Sequence, residues 1–221
     1  MNFLEKLYIW FRNFILGNKK KVTPSSGYFP SRVRQAALTI CEDKRGFLLE
    51  IGCGEGLFLT ALGPKIFHSQ LIGIDYDNMV LKELAKDIKN RNPENIKIIR
   101  SEAKITPFRD NYFDIVICIN MLYNLSSEKE MVDIIKEMVR LCNQKGSIIF
   151  DVRNKCNPLL YFGYKWVKYY NPSCPWPLKT YRLKEIDEIL KKLSLRVARK
   201  IPIGFPLKWL APVVLFEVVK E

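Results

Sequence analysis

The chain has 221 residues, with 36 Lys+Arg against 23 Asp+Glu, a formal net charge of +13 and a single histidine. That length fits one large domain or one domain with a cap. With 48% hydrophobic and 27% charged residues, disorder as the main state is excluded. The six cysteines include no CxxC pair. A zinc centre therefore lacks ligands, and a Ser-His-Asp or Cys-His hydrolase would depend on His68 alone. No run of apolar residues is long enough for a spanning helix. The positive balance favours an anionic partner, whether nucleic acid, an anionic membrane surface or a phosphorylated substrate.

In chain order, residues 1–16 read as an amphipathic helix. Phe3, Leu7, Trp10, Phe11, Phe14 and Ile15 recur at three- and four-residue spacing, and Lys19, Lys20 and Lys21 follow. Glu5 and Arg12 interrupt the apolar run, which argues against a secretory signal. The helix either lies on a membrane surface, covers a lipophilic substrate, or packs on its own domain. A turn-rich linker follows at 23–30, then a helix at 31–42 with Ser31 as N-cap and Val33, Ala36, Ala37 and Ile40 on one face. This gives an N-terminal segment, 1–46, ahead of a main domain at 47–221.

From Phe47 onward, buried strands alternate with helices. FLLEIG, QLIGID, IKIIRSE, FDIVICIN (113–120) and GSIIFDVR read as five strands, with helices at 56–62, about 78–90 and 126–142, the last capped at Ser126 or Ser127. Near-continuous apolar strands of this kind form a parallel sheet covered on both faces. Cys53 and Cys118 fall within these stretches and read as buried, reduced thiols of a cytoplasmic protein. Residues 152–184 hold seven Lys/Arg and no acid, and 154–179 read as an aromatic, proline-broken cap insertion. A helix at 181–193 and strands near 195–201 and 213–219 close the chain, the last two as an antiparallel pair.

The sharpest local feature is LLEIGCGEG. Gly52, Gly54 and Gly56 follow a strand and open a helix, so the backbone turns sharply and a ligand approaches without a Cβ in the way. A dinucleotide would set its pyrophosphate at this helix N-terminus, and Glu50 would repel it. The same carboxylate suits an ammonium or a sulfonium. Asp75 ends the second strand, about 20 residues further on, where an acid accepts hydrogen bonds from ribose hydroxyls. Its plainer role is to cap the next helix. Tyr76 is placed to pack on an adenine face.

LLEIGCGEG, GIDYD and SEAKITPFRDNYFDIVICINMLYNL together resemble the class I S-adenosylmethionine-dependent methyltransferases, in the branch that methylates quinone and other lipid-like small molecules. The resemblance implies a Rossmann-like α/β fold with a seven-stranded, mostly parallel sheet whose last strand is antiparallel. It implies S-adenosylmethionine as cofactor and S-adenosylhomocysteine as product. Glu50, Gly52, Cys53, Gly54 and Gly56 would surround the methionine end, Asp75 the ribose and Tyr76 the adenine. Glu102 and Ala103 would meet the adenine edge, and Ile119 and Asn120 would lie under the sulfur. The fourth-strand motif lacks the (Asp/Asn)-Pro-Pro-aromatic signature of many nucleic-acid amino-group methyltransferases. Asn124 stands where many small-molecule relatives have histidine, which leaves the general base open. Tyr123, Asp151 and His68 are the candidates, each with a plainer reading: a wall residue, a partner of Arg153, and a loop residue on the far edge.

The leading expectation is a methyltransferase for a small lipophilic or aromatic acceptor, cytoplasmic and in peripheral contact with the inner membrane face. The alternatives are an RNA methyltransferase, carried by the charge and the basic aromatic insertion, and a cofactor-binding protein without turnover or with a protein substrate.

Overall fold

The computed structural model describes residues 27–66, 70–91, 95–165, 178–204 and 208–221. The expected helix at 1–16, His68 and the aromatic residues at 166–177 lie outside them. The described chain runs α1 (Tyr28–Cys41), β1 (Phe47–Ile51), α2 (Leu57–Leu62), β2 (Gln70–Asp75), α3 (Asn78–Arg91), β3 (Ile96–Arg100), β4 (Phe113–Cys118), α4 (Glu128–Leu141), β5 (Cys142–Arg153), α5 (Pro158–Lys165), α6 (Leu183–Lys192), β6 (Leu195–Ile203) and β7 (Val213–Lys220). The seven strands form one sheet in the order β3-β2-β1-β4-β5-β7-β6. β1 to β5 pair in parallel, and β7 is antiparallel to both of its neighbours.

Strand periodicity divides the core into two layers. Val116 and Cys118 of β4 face Met131, Ile134 and Met138 of α4 and Ile186 and Leu190 of α6. Ile115 and Ile117 face Val33 and Ala37 of α1, Phe58 and Leu62 of α2, and Leu84 of α3. Because both faces are covered, the strands carry apolar residues at nearly every position. The described part of the N-terminal segment is thus an integral layer of the domain. Cys53 and Cys118 are buried, and burial pushes both thiols up.

Two boundaries depart from the sequence reading, and at α4 the structure decides between the two expected caps. α1 begins at Tyr28, and Gly27 is its N-cap. Ser31 therefore lies inside the first turn, its N–H donating to the Gly27 carbonyl. At α4 the cap is Ser127, whose hydroxyl accepts from the Glu130 N–H, while Glu130 accepts in return from the Ser126 N–H and hydroxyl. β5 starts at Cys142, four residues before GSIIFDVR, because its first residues continue from the last turn of α4. The aromatic stretch after β5 begins as the short helix α5, which Asn157 caps by accepting from the Leu160 N–H at 2.8 Å.

Phe150 and Phe216 stack across the β5–β7 pair with ring centroids 5.3 Å apart, both fully buried. Phe150→Ala is expected to cost about 3–5 kcal/mol, read as a lower urea midpoint at unchanged slope.

Candidate active site

The glycine bend turns the chain between β1 and α2. The N–H groups of Gly52 and Cys53 both donate to the Ile74 carbonyl, at 2.8 and 2.9 Å, which anchors the bend to the end of β2. Gly52, Gly54 and Gly56 have φ of 73°, 48° and 66°, the left-handed region that glycine enters without strain. A Cβ at Gly52 would meet Met121 Cγ at 2.8 Å, and one at Gly56 would meet Leu84 at 2.4 Å. A Cβ at Gly54 would meet nothing within 4 Å. The middle glycine therefore borders open space, while the outer two are required by packing.

Strand alternation turns Glu50 toward the layer that holds α1. Its side chain is buried, and its Oε2 has no hydrogen-bond partner among the described residues. Burial pushes the Glu50 carboxyl well above the ordinary glutamate value; Arg34 of α1 opposes that shift and Asp75 adds to it. Arg34 is the site residue that the sequence reading missed. It lies 16 positions before Glu50, on a helix whose apolar face gave no sign of a ligand. Only the packing of α1 against β1 brings the guanidinium to the cleft.

Two adjoining cavities occupy the carboxyl edge of the sheet. One, of about 190 Å³, is lined by Arg34, Glu50, Gly52, Cys53, Gly54, Ile119, Asn120 and Tyr123, among others. The second, of about 410 Å³, shares Gly52, Gly54 and Asn120 and adds Asp75, Tyr76 and Ala103. A further hollow of about 630 Å³ continues past Tyr76 and Ala103 to Glu102 and Lys179. Among the described residues, the structure thus brings together the sequence-selected ones except Gly56, which caps α2, and Asp151.

Asp75 is half-buried and accepts from the Gly54 N–H at 2.9 Å and the Asp77 N–H at 3.0 Å. The cap of α3 is Asp77, which accepts from the Met79 N–H at 2.8 Å. Asp75 therefore braces the bend and the turn ahead of α3 and leaves the capping to its neighbour. Tyr76 is 74% exposed and stands over the edge.

Asp151 is not a free base. It is buried, with Oδ1 accepting from the Asn120 N–H at 2.5 Å and Oδ2 paired with Arg153 at 2.5 Å. Burial raises its carboxyl, and Arg153 and the Asn120 N–H counter that. Arg153 is also buried; it donates to Asn120 Oδ1 and Tyr164 Oη, both at 3.1 Å, and its guanidinium lies 4.2 Å from the Tyr123 ring centroid. Asn120 has φ of 58°, so this network holds the floor of the cleft in a left-handed turn. Burial raises the Tyr123 phenol, against the pull of Arg153, so Tyr123 meets the cleft as a neutral hydroxyl.

Residues 49–150 match the family model described as a methyltransferase domain. That stretch, a little under half of the chain, is thus similar to a methyltransferase domain. Over 102 residues it is 28% identical to the demethylmenaquinone methyltransferase of Geobacillus sp. (strain WCH70), covering 46% of this chain and 42% of that protein. Over 165 residues it is 27% identical to the protein of the same name from Staphylococcus carnosus (strain TM300), covering 73% and 66%. The chain thus spans less than half the length of the first relative and about two thirds of the second. In fold, the domain resembles the magnesium protoporphyrin IX methyltransferase of Synechocystis PCC 6803, solved with bound SAH. The TM-score is 0.67 at 15% identity, over 97% of this chain and 95% of that one.

Glu50 carries a measurable signature. A carboxyl raised above its unfolded value stabilises the fold fully only below that unfolded value, and the contribution is lost as pH rises through the folded value. Without ligand, Glu50→Gln is expected to gain about 1–3 kcal/mol over the parent chain at neutral pH. That gain should shrink as pH falls toward the ordinary glutamate value, checked by thermal melts across a pH series.

Proposed function

We propose that the chain is an S-adenosylmethionine-dependent methyltransferase acting on a small, lipophilic or aromatic acceptor. One observation carries the reading: the buried, unmatched oxygen of Glu50 beside a three-glycine bend that opens on a cavity. A buried carboxylate needs a cation or a donor, and the ammonium of a methionine moiety supplies both. A pyrophosphate at the same bend would be repelled.

In this reading Arg34 pairs with the methionine carboxylate and Glu50 with the ammonium. Gly52, Cys53, Gly54 and Gly56 shape the bend, Asp75 accepts from the ribose, and Tyr76 covers the adenine. Glu102 and Ala103 meet the adenine edge, and Ile119 and Asn120 form the floor. When bound, the cofactor supplies a methyl group already activated on a sulfonium. The chain's own work is to orient the acceptor and exclude water, worth roughly 7–11 kcal/mol of barrier. Tyr123 is assigned as a wall and hydrogen-bond donor on the acceptor side. Asp151 is assigned a positioning role through Arg153 and Asn120.

The relatives named for demethylmenaquinone support an acceptor of quinone-like, lipophilic character. The described cysteines are free, and Cys41, Cys53, Cys118 and Cys142 are buried, which supports a reducing, cytoplasmic setting. Among the described residues no helix is long and apolar enough to cross a membrane. A lipophilic acceptor would place the enzyme at the inner membrane face, reached from the aqueous side.

Calorimetry with S-adenosylhomocysteine tests the cofactor. Binding is expected for the parent chain, and Glu50→Gln and Asp75→Ala should each weaken it by about tenfold to a hundredfold. No heat with this compound, alongside tight uptake of a nicotinamide coenzyme, would overturn the reading. Labelled methyl donor incubated with fractionated extract tests the acceptor class. Label should enter the lipid fraction, and entry into RNA or protein would replace the lipophilic acceptor with that class. With an acceptor in hand, Tyr123→Phe should retain turnover within about tenfold, because a neutral phenol is not the general base.

A further inference from the structure

β5 ends at Arg153, opposite Val213, the first residue of β7. The segment that follows β5 and the one that precedes β7 therefore leave the sheet at the same carboxyl edge. Two buried asparagines fasten them together. Asn154 Nδ2 donates to the carbonyls of Trp209 and Ala211 at 3.0 and 2.9 Å, and Asn157 Nδ2 donates to that of Leu210 at 2.7 Å. α5 and residues 208–211 thus form one platform.

The platform presents large apolar side chains to solvent. Leu159 is 75% exposed, Phe162 57% and Trp209 66%. Leu159 and Phe162 are three residues apart on α5 and share a face, while Leu160 turns inward and is buried. Exposed Lys155, Lys165 and Lys208 border them. No acidic residue occurs from 152 to 184 or from 189 to 216. The acids of this edge, Glu55, Asp75 and Glu102, sit on the cleft side.

We infer that this platform docks on an anionic lipid bilayer, with Leu159, Phe162 and Trp209 entering the headgroup–acyl boundary and Lys155, Lys165 and Lys208 pairing with lipid phosphates. Aromatic and aliphatic side chains flanked only by lysines match such a surface in both polarity and charge. An RNA backbone would use the lysines but offers Leu159 no apolar partner. The inference deepens the lipophilic-acceptor reading, because α5 ends at the cleft: Tyr164 accepts from Arg153 and lies 6.0 Å, ring to ring, from Tyr123. An acceptor dissolved in the bilayer would meet the cleft along α5.

The test is co-sedimentation of the full chain with vesicles of phosphatidylcholine plus phosphatidylglycerol and with phosphatidylcholine alone. The parent chain is expected to bind the anionic vesicles preferentially, and less so as salt rises. The double variant Phe162→Glu/Trp209→Glu should partition about tenfold or more weakly, with its melting temperature and S-adenosylhomocysteine affinity unchanged. Three results would overturn the proposal: no vesicle binding by the parent chain, equal binding by the variant, or a variant that loses RNA retention or dimerisation while vesicle binding stands. S-adenosylhomocysteine binding by the parent chain is read separately, so failure at the membrane and failure of the cofactor reading give different results.

Discussion

Glu50 is kept inside the fold with one carboxylate oxygen unmatched among the described residues, and the geometry of the cleft follows from how that is tolerated. The strand that carries it pairs on both sides with other strands, so its backbone has no freedom to swing the side chain into water. α1 closes over it through Val33, Ala37 and Ile40, which are buried against the same layer. Ordinary packing would place an apolar side chain here. A carboxylate costs stability in the empty protein, and the surrounding core offsets that cost. The only charged group brought in from α1 is Arg34, and it too faces the cavity. An acid and a base that flank the same small space, with the acid short of a partner, are complementary to a zwitterion.

The floor of the cleft is built by a second buried charge arrangement, with the opposite character. Asp151 and Arg153 are satisfied by each other, by Asn120 and by Tyr164. Breaking one partner of such a pair leaves an uncompensated buried charge. Its consequence is positional. The turn at Asn120, left-handed and tied to Asp151 through its N–H and to Pro30 through Nδ2, links β4, β5 and the start of α1. One network therefore sets both the floor and the helix that delivers Arg34. The contrast between a satisfied pair beneath the cleft and an unsatisfied acid in it separates scaffold from ligand site.

Much of this was legible in the residues because two periodicities are strong. Apolar runs bounded by turns gave every strand, and the bend, with Asp75 beyond it, gave the cleft. Residues whose roles depend on non-local packing were not legible. Ser31 has the chemistry of an N-cap, but Gly27 and Pro30 start α1 earlier, since the proline's fixed φ and missing N–H suit a first turn. Arg34 reads as a solvated position on an amphipathic helix until α1 is laid against β1. Asp151 reads equally as base or ion-pair partner from its place at the end of β5, and only the Asn120 N–H and the Arg153 side chain decide. α5 was hidden by the prolines that follow it, which argue against a long helix and say nothing about a short one.

The charge of the chain carries less functional information as a sum than as a distribution. A net charge of +13 fits nucleic acid, membrane or phosphorylated substrate equally well. Along the carboxyl edge it is divided. The end of β2 and the loops after β1 and β3 carry Asp75, Glu55 and Glu102, which favour a cationic ligand. The segments after β5 and before β7 carry lysines among exposed apolar side chains. A nucleic-acid groove would need positive charge continuous with the cleft, so that phosphates flank the reacting base. Here Arg34 and Lys179 reach the cleft among its acids, while Lys155, Lys165 and Lys208 lie beside it on an apolar platform. In the proposed reading, the platform's lysines and exposed apolar side chains match a surface that is itself part charge and part hydrocarbon.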